Sequence, residues 1–78
     1  MNGMVVLNWD KIPGAKKYAV SVYENGKYTV LNQAITETAY VATGLTNGKE
    51  YKFLVQSNVN GKWSSKGTKY LVSATPLN

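Results

Sequence analysis

The sequence predicts an all-β antiparallel sandwich. Three observations carry this: short stretches in which apolar residues alternate with polar ones, turn signals between them, and no segment of helical periodicity. The turn signals are Pro13-Gly14 and the Asn-Gly pairs at 25–26, 47–48 and 60–61. The 78 residues form one domain, small enough to bury only about 60% of the surface its unfolded chain exposes.

Met4 to Trp9 is the first strand, with Val5, Leu7 and Trp9 on one face and Val6 and Asn8 on the other. Trp9 is its heavy core anchor. Asp10 to Gly14 is a connection, in which Pro-Gly suits a type II turn. In the second strand Tyr18, Val20 and Val22 alternate with Ala19, Ser21 and Tyr23. Asn25-Gly26 then closes a hairpin, since a type I′ turn needs positive φ at both central residues. Lys27 to Leu31 returns as a short third strand, and Tyr23 and Tyr28 pair across the hairpin. Asn32 to Thr38 is polar and reads as loop. Ala39 to Thr43 is a brief strand with Tyr40 and Ala42 inward.

The stretch from Leu45 to Ser57 organises the rest. Tyr51, Phe53, Val55 and Ser57 share one face of a strand that opens after the Asn47-Gly48 turn. Leu45, six residues before Tyr51, enters the core while the Tyr51 hydroxyl reaches back to turn backbone, an arrangement called a tyrosine corner. Val59 to Gly67 is a turn-rich loop that carries Lys62 and Trp63. The last strand is Lys69 to Ala74 with Tyr70, Val72 and Ala74 inward, and Leu71 breaks that alternation. Pro76 follows and cannot donate to a ladder. The expected core is Leu7, Trp9, Val20, Val22, Tyr40, Leu45, Phe53 and Val55.

Taken together these residues resemble a fibronectin type III domain over almost the whole chain. The resemblance runs from Leu7 and Trp9 through Gly14-Ala15, Tyr18-x-Val20, Gly44-Leu45, Gly48 and Tyr51-x-Phe53-x-Val55. It continues through the Ser65 region to Val72–Pro76. It implies an immunoglobulin-like sandwich of the family's strands B, C, C′, E, F and G, with C′, C, F and G in one sheet and B and E in the other. The family opens with a strand A, which nothing here supplies. An uncovered strand B is therefore expected to invite self-association or a partner contact along residues 4–9. The Gly-Ala-Lys-Lys-Tyr and Val-Ser-Ala-Thr-Pro stretches resemble the bacterial branch, found in secreted glycoside hydrolases and cell-surface proteins. Heavy Lys, Asn and Tyr usage accords with an AT-rich bacterial genome.

The resemblance implies a non-catalytic accessory or spacer module, residues 1–78, excised from a larger extracellular or cell-surface protein. Its partners would be neighbouring domains of the parent chain. The alternative is a weak carbohydrate- or protein-binding adhesion module that meets a polysaccharide or surface protein through loop aromatics. Trp63 and Lys62 are its candidate ligand contacts, while Trp9, Leu45 and Tyr51 are structural. No Arg-Gly-Asp motif is present, because the chain has no arginine.

Composition narrows the chemistry. The absence of histidine and cysteine removes the commonest general base, the thiol nucleophile and the transition-metal ligands. Asp10, Glu24, Glu37 and Glu50 are isolated from one another, so neither a calcium cage nor a glycosidase carboxylate pair is expected. The expectation is a protein without enzymatic activity, cofactor or metal. The net charge of +5 comes from nine lysines spread along the chain, and inward tyrosines do not form base-stacking platforms, so nucleic acid is not an expected partner. No apolar run reaches the roughly 18 residues a membrane helix needs. Met1-Asn2-Gly3-Met4 leads straight into a strand, so a signal peptide would lie outside this fragment. Cysteine usage leaves the compartment open.

Overall fold

The computed structural model describes residues 3–64 and 71–76. Seven strands are seen: β1 (Val5–Asn8), β2 (Ala15–Glu24), β3 (Lys27–Ile35), β4 (Ala39–Ala42), β5 (Tyr51–Val59), β6 (Lys62–Trp63) and β7 (Leu71–Ala74). All pairings are antiparallel. β1 and β4 form one sheet. In the other, β3, β2 and β5 run side by side, and both β6 and β7 pair with β5. This is the expected division of strands, with β6 added.

The core lies between the sheets, as the period-two pattern requires. Val5 and Leu7 of β1 and Ala42 of β4 meet Tyr18, Val20 and Val22 of β2 and Tyr51, Phe53 and Val55 of β5. Phe53 and Val20 are completely excluded from solvent. Ile35 joins them, a contribution missed when Asn32–Thr38 was read as loop. β3 in fact runs to Ile35, and its burial pattern is exposed at nearly every other position. An edge strand wet on both faces has no alternation to read. Register shifts near Ala19 place Val20 opposite Asn32 and Tyr18 opposite Ile35, so a bulge returns Ile35 to the core.

The Asn25-Gly26 hairpin forms as expected, and Asn60-Gly61 closes a second, between β5 and β6, where a loop was expected. Asn25 and Gly26 have φ of 51° and 80°, Asn60 and Gly61 of 52° and 81°, the positive pair a type I′ turn demands. The Tyr23 and Tyr28 rings meet across the first at 4.8 Å. On β7, Val72 stands opposite Phe53 and Ala74 opposite Tyr51, which puts both on the inward face. The inward placement of Val72 is as expected, though it remains 44% exposed. Leu71 stands opposite Leu54, itself buried on the other face of β5. The expected strand start at Lys69 and the inward Tyr70 lie outside the described residues.

Trp9, Tyr40 and Leu45 pack against the core but are only partly buried. Trp9 is therefore not the central anchor its size suggested. It sits at the end of β1, edge-on to Tyr18 with ring centroids 5.5 Å apart.

Candidate functional site

Two tyrosines hold the turns. At the predicted corner, the Thr46 N–H donates to the Tyr51 hydroxyl at 2.9 Å. The same device occurs at Tyr18, whose hydroxyl accepts the Ile12 N–H at 3.0 Å, and this second latch was not foreseen. Its signal was present: a Pro-Gly turn followed by an inward tyrosine at the head of a strand. Tyr18 stands opposite Ser57, some six residues along β5 from Tyr51, so the latches lie about 20 Å apart along the strand direction. Removing either hydroxyl leaves one turn amide without its partner. Tyr51→Phe and Tyr18→Phe are each expected to lower the melting temperature by a few degrees, with additive effects in the double variant. A calorimetric scan checks this, and a Tyr18→Phe melt identical to wild type would remove the second latch.

The turn after β4 gathers both ends of the described chain. Leu45 N–H donates to Gly3 O at 3.0 Å and Gly48 N–H to Pro76 O at 2.9 Å. Gly3 N–H donates in turn to Asn47 Oδ1 at 2.7 Å. Lys49 lies with its ammonium 5.1 Å from the Tyr51 ring centroid and pairs with Glu24 at 3.0 Å. The hydrogen bond to Glu24 raises the Lys49 pKa above its ordinary 10.5. That contribution holds below 10.5 and fades as pH rises through the folded value. Tyr51 moves the other way. The Thr46 N–H favours the phenolate and lowers its pKa from 10.0, so this shift favours folding only in alkaline solution.

Trp63 is placed differently from expectation. It lies not on a loop but on β6, opposite Asn58, and is 39% exposed. Lys17 also stands opposite Asn58, from the other side, and its ammonium lies 5.7 Å from the Trp63 ring centroid. Lys62 is opposite Val59 and, by strand alternation, belongs to the other face. The cation beside the ring is thus Lys17, and Lys62 and Trp63 do not converge. Ser64 fixes the hairpin by accepting the Gln56 side-chain N–H at its carbonyl and the Ser57 N–H at its hydroxyl. Among the described residues no cluster of three metal-binding side chains occurs, and no helix is long and apolar enough to cross a membrane.

A third feature is a cleft of about 270 Å³ beside β1, lined by Leu7, Trp9, Val55, Val72 and Ala74. Trp9 Nε1 is buried without a hydrogen-bond acceptor among the described residues.

Two antiparallel sheets joined through a tyrosine corner define an immunoglobulin-like sandwich domain. The chain is similar to an Fn3-like protein from Clostridium thermocellum, at 32% identity and a TM-score of 0.73, over 82% of this chain and 69% of that one. It belongs to the fibronectin type III family. The FN3tt structure shares the fold at a TM-score of 0.82 and 20% identity, over 95% of this chain and 76% of that one. The twitchin kinase region of C. elegans does so at 0.68 and 19%, over 83% of this chain and 12% of that one. No protein-family model and no curated protein matches the chain.

Proposed function

We propose that this domain is a non-catalytic module of a bacterial secreted or cell-surface protein, and that it orients the domains on either side of it. The carrying observation is the clamp: Gly3 and Pro76 are both bonded to the Leu45–Gly48 turn. Gly3 and Pro76 are therefore held side by side at one end of the sandwich by hydrogen bonds. Placement within a longer chain is supported by the twitchin kinase region, where the matched part covers 12% of that chain. The bacterial assignment is supported by the Clostridium thermocellum relative.

Fusing reporter domains before Gly3 and after Pro76 and measuring their separation by spin-label spectroscopy tests the reading. The lack of cysteine allows clean labelling. A short, narrow distance distribution is expected. A broad one, matching a flexible linker of equal length, would defeat the proposal.

The second reading is polysaccharide contact through Trp63, favoured by its exposed indole. Lys17 already stands over the ring, and one platform buries little of a sugar. Any affinity is expected to be no better than millimolar, ~4 kcal/mol. Titration of soluble glycans followed by the indole resonances checks it, with Lys17→Ala expected to strengthen whatever contact exists.

A further inference from the structure

We propose that Asn47 is a latent deamidation site gated by the clamp, and that its isoaspartate product holds the clamp open. The chemistry is that of an asparagine followed by glycine. The backbone nitrogen of the glycine loses its proton to base and attacks the carboxamide carbon of the asparagine. A new C–N bond closes a five-membered imide, and ammonia leaves. Water then opens the imide at one of its two carbonyls. Opening at the side-chain carbonyl gives aspartate in an unaltered main chain, and opening at the main-chain carbonyl gives isoaspartate. Water is the only co-reactant, and nothing is oxidised or reduced.

Three Asn-Gly pairs lie within the described residues, at 25–26, 47–48 and 60–61. Asn25 and Asn60 stand at hairpin turns that take no part in the clamp. At 47–48 both reacting groups are engaged by it. Asn47 Oδ1 accepts the Gly3 N–H at 2.7 Å, so the carboxamide is tethered to Gly3 rather than free to turn onto Gly48. The Gly48 N–H, whose proton must leave, is donated to Pro76 O at 2.9 Å. Steric room is not the obstacle. Asn47 and Gly48 are exposed, and a Cβ added at Gly48 would meet no atom within 4 Å beyond its chain neighbours. Water and base therefore reach the pair, and the imide ring has space once the bonds open. Two hydrogen bonds, one toward each end of the described chain, are the gate.

The two products act differently on the clamp. Aspartate at position 47 keeps an acceptor for the Gly3 N–H and leaves the backbone spacing of the turn unchanged. Isoaspartate routes the main chain through the former side chain and adds a methylene between Thr46 and Gly48. The Leu45 and Gly48 amides, which bond Gly3 O and Pro76 O, then no longer keep the spacing that serves both partners. A local opening that was reversible becomes permanent.

The test is incubation of the 78-residue chain at mildly alkaline pH, native and in urea, followed by cleavage at lysine. The three pairs fall on separate peptides ending at Lys27, Lys49 and Lys62, and fragmentation in the mass spectrometer places each converted residue. Similar rates are expected for all three in urea. In the native domain Asn47 is expected to convert at least about tenfold more slowly than in urea, the factor that two hydrogen bonds opened together supply. Gly3→Ala, which frees the Asn47 carboxamide, is expected to speed its native conversion about threefold or more relative to Asn25 and Asn60. In the isolated isoaspartate form, amide exchange at Leu45 and Gly48 is expected to lose its protection. The proposal is overturned if Asn47 converts as fast in the native domain as in urea. It is overturned equally if Gly3→Ala brings no gain over Asn25 and Asn60, or if the isoaspartate form keeps both amides protected.

Discussion

Phe53→Ala is expected to destabilise the domain by about 3–5 kcal/mol. Phe53 is fully excluded from water on β5, between Val22 of β2 and Val72 of β7 in register, with its ring 6.3 Å from that of Tyr51. The central strand cannot move to close the space, because β5 is hydrogen-bonded to β2 on one side and to β6 and β7 on the other. Against a total of about 5–15 kcal/mol for a native domain, such a loss leaves a marginal fold. Urea denaturation measures it. A loss under about 1 kcal/mol would mean that Phe53 is not at the centre of the core.

Gly3→Ala is the second large effect, and its cause is backbone rather than burial. Gly3 has φ of +64°, and a Cβ there would stand 2.5 Å from the Leu45 carbonyl oxygen. That atom belongs to the main chain and cannot rotate away. Strain of about 1–3 kcal/mol is expected, relieved by releasing Gly3 from the turn. Hydrogen exchange separates this from general destabilisation. The Leu45 amide, whose acceptor is Gly3 O, should lose protection while the Gly48 amide, bonded to Pro76, keeps it. Equal loss at both would show that the turn fails as a unit and that Gly3 has no separate role.

Where a residue's environment is set by its own strand, the sequence was legible. Tyr51, Phe53 and Val55 face inward as their alternation with Lys52 and Gln56 implied, and the Asn25-Gly26 hairpin follows from the φ those two residues tolerate. Where the environment is set by neighbours, it was not. β3 has no pattern because neither face of its exposed part is covered. Trp9 and Val72 carry the right residue types on the right faces. How far each is buried depends on whether another strand covers the cleft between them, and their spacing holds no information about that. Trp63 was misplaced for a related reason: two residues of pairing beyond a turn make a strand too short to show a period. Its companion Lys17 comes from 46 positions away, reached through the intervening strand.

The clamp at the Leu45–Gly48 turn also decides how the domain would bear a pull. Tension applied through Gly3 and Pro76 enters at one pole, where each end is held by hydrogen bonds to the same short turn. β1 and β7 lie in different sheets, so pulling the two ends apart draws on no ladder between them. The clamp is then the mechanical fuse. Below its breaking force the load passes across the turn and the sandwich remains slack. Above it the ends peel away in sequence, β1 from β4 and β7 from β5, a bond at a time rather than by shear of a whole ladder.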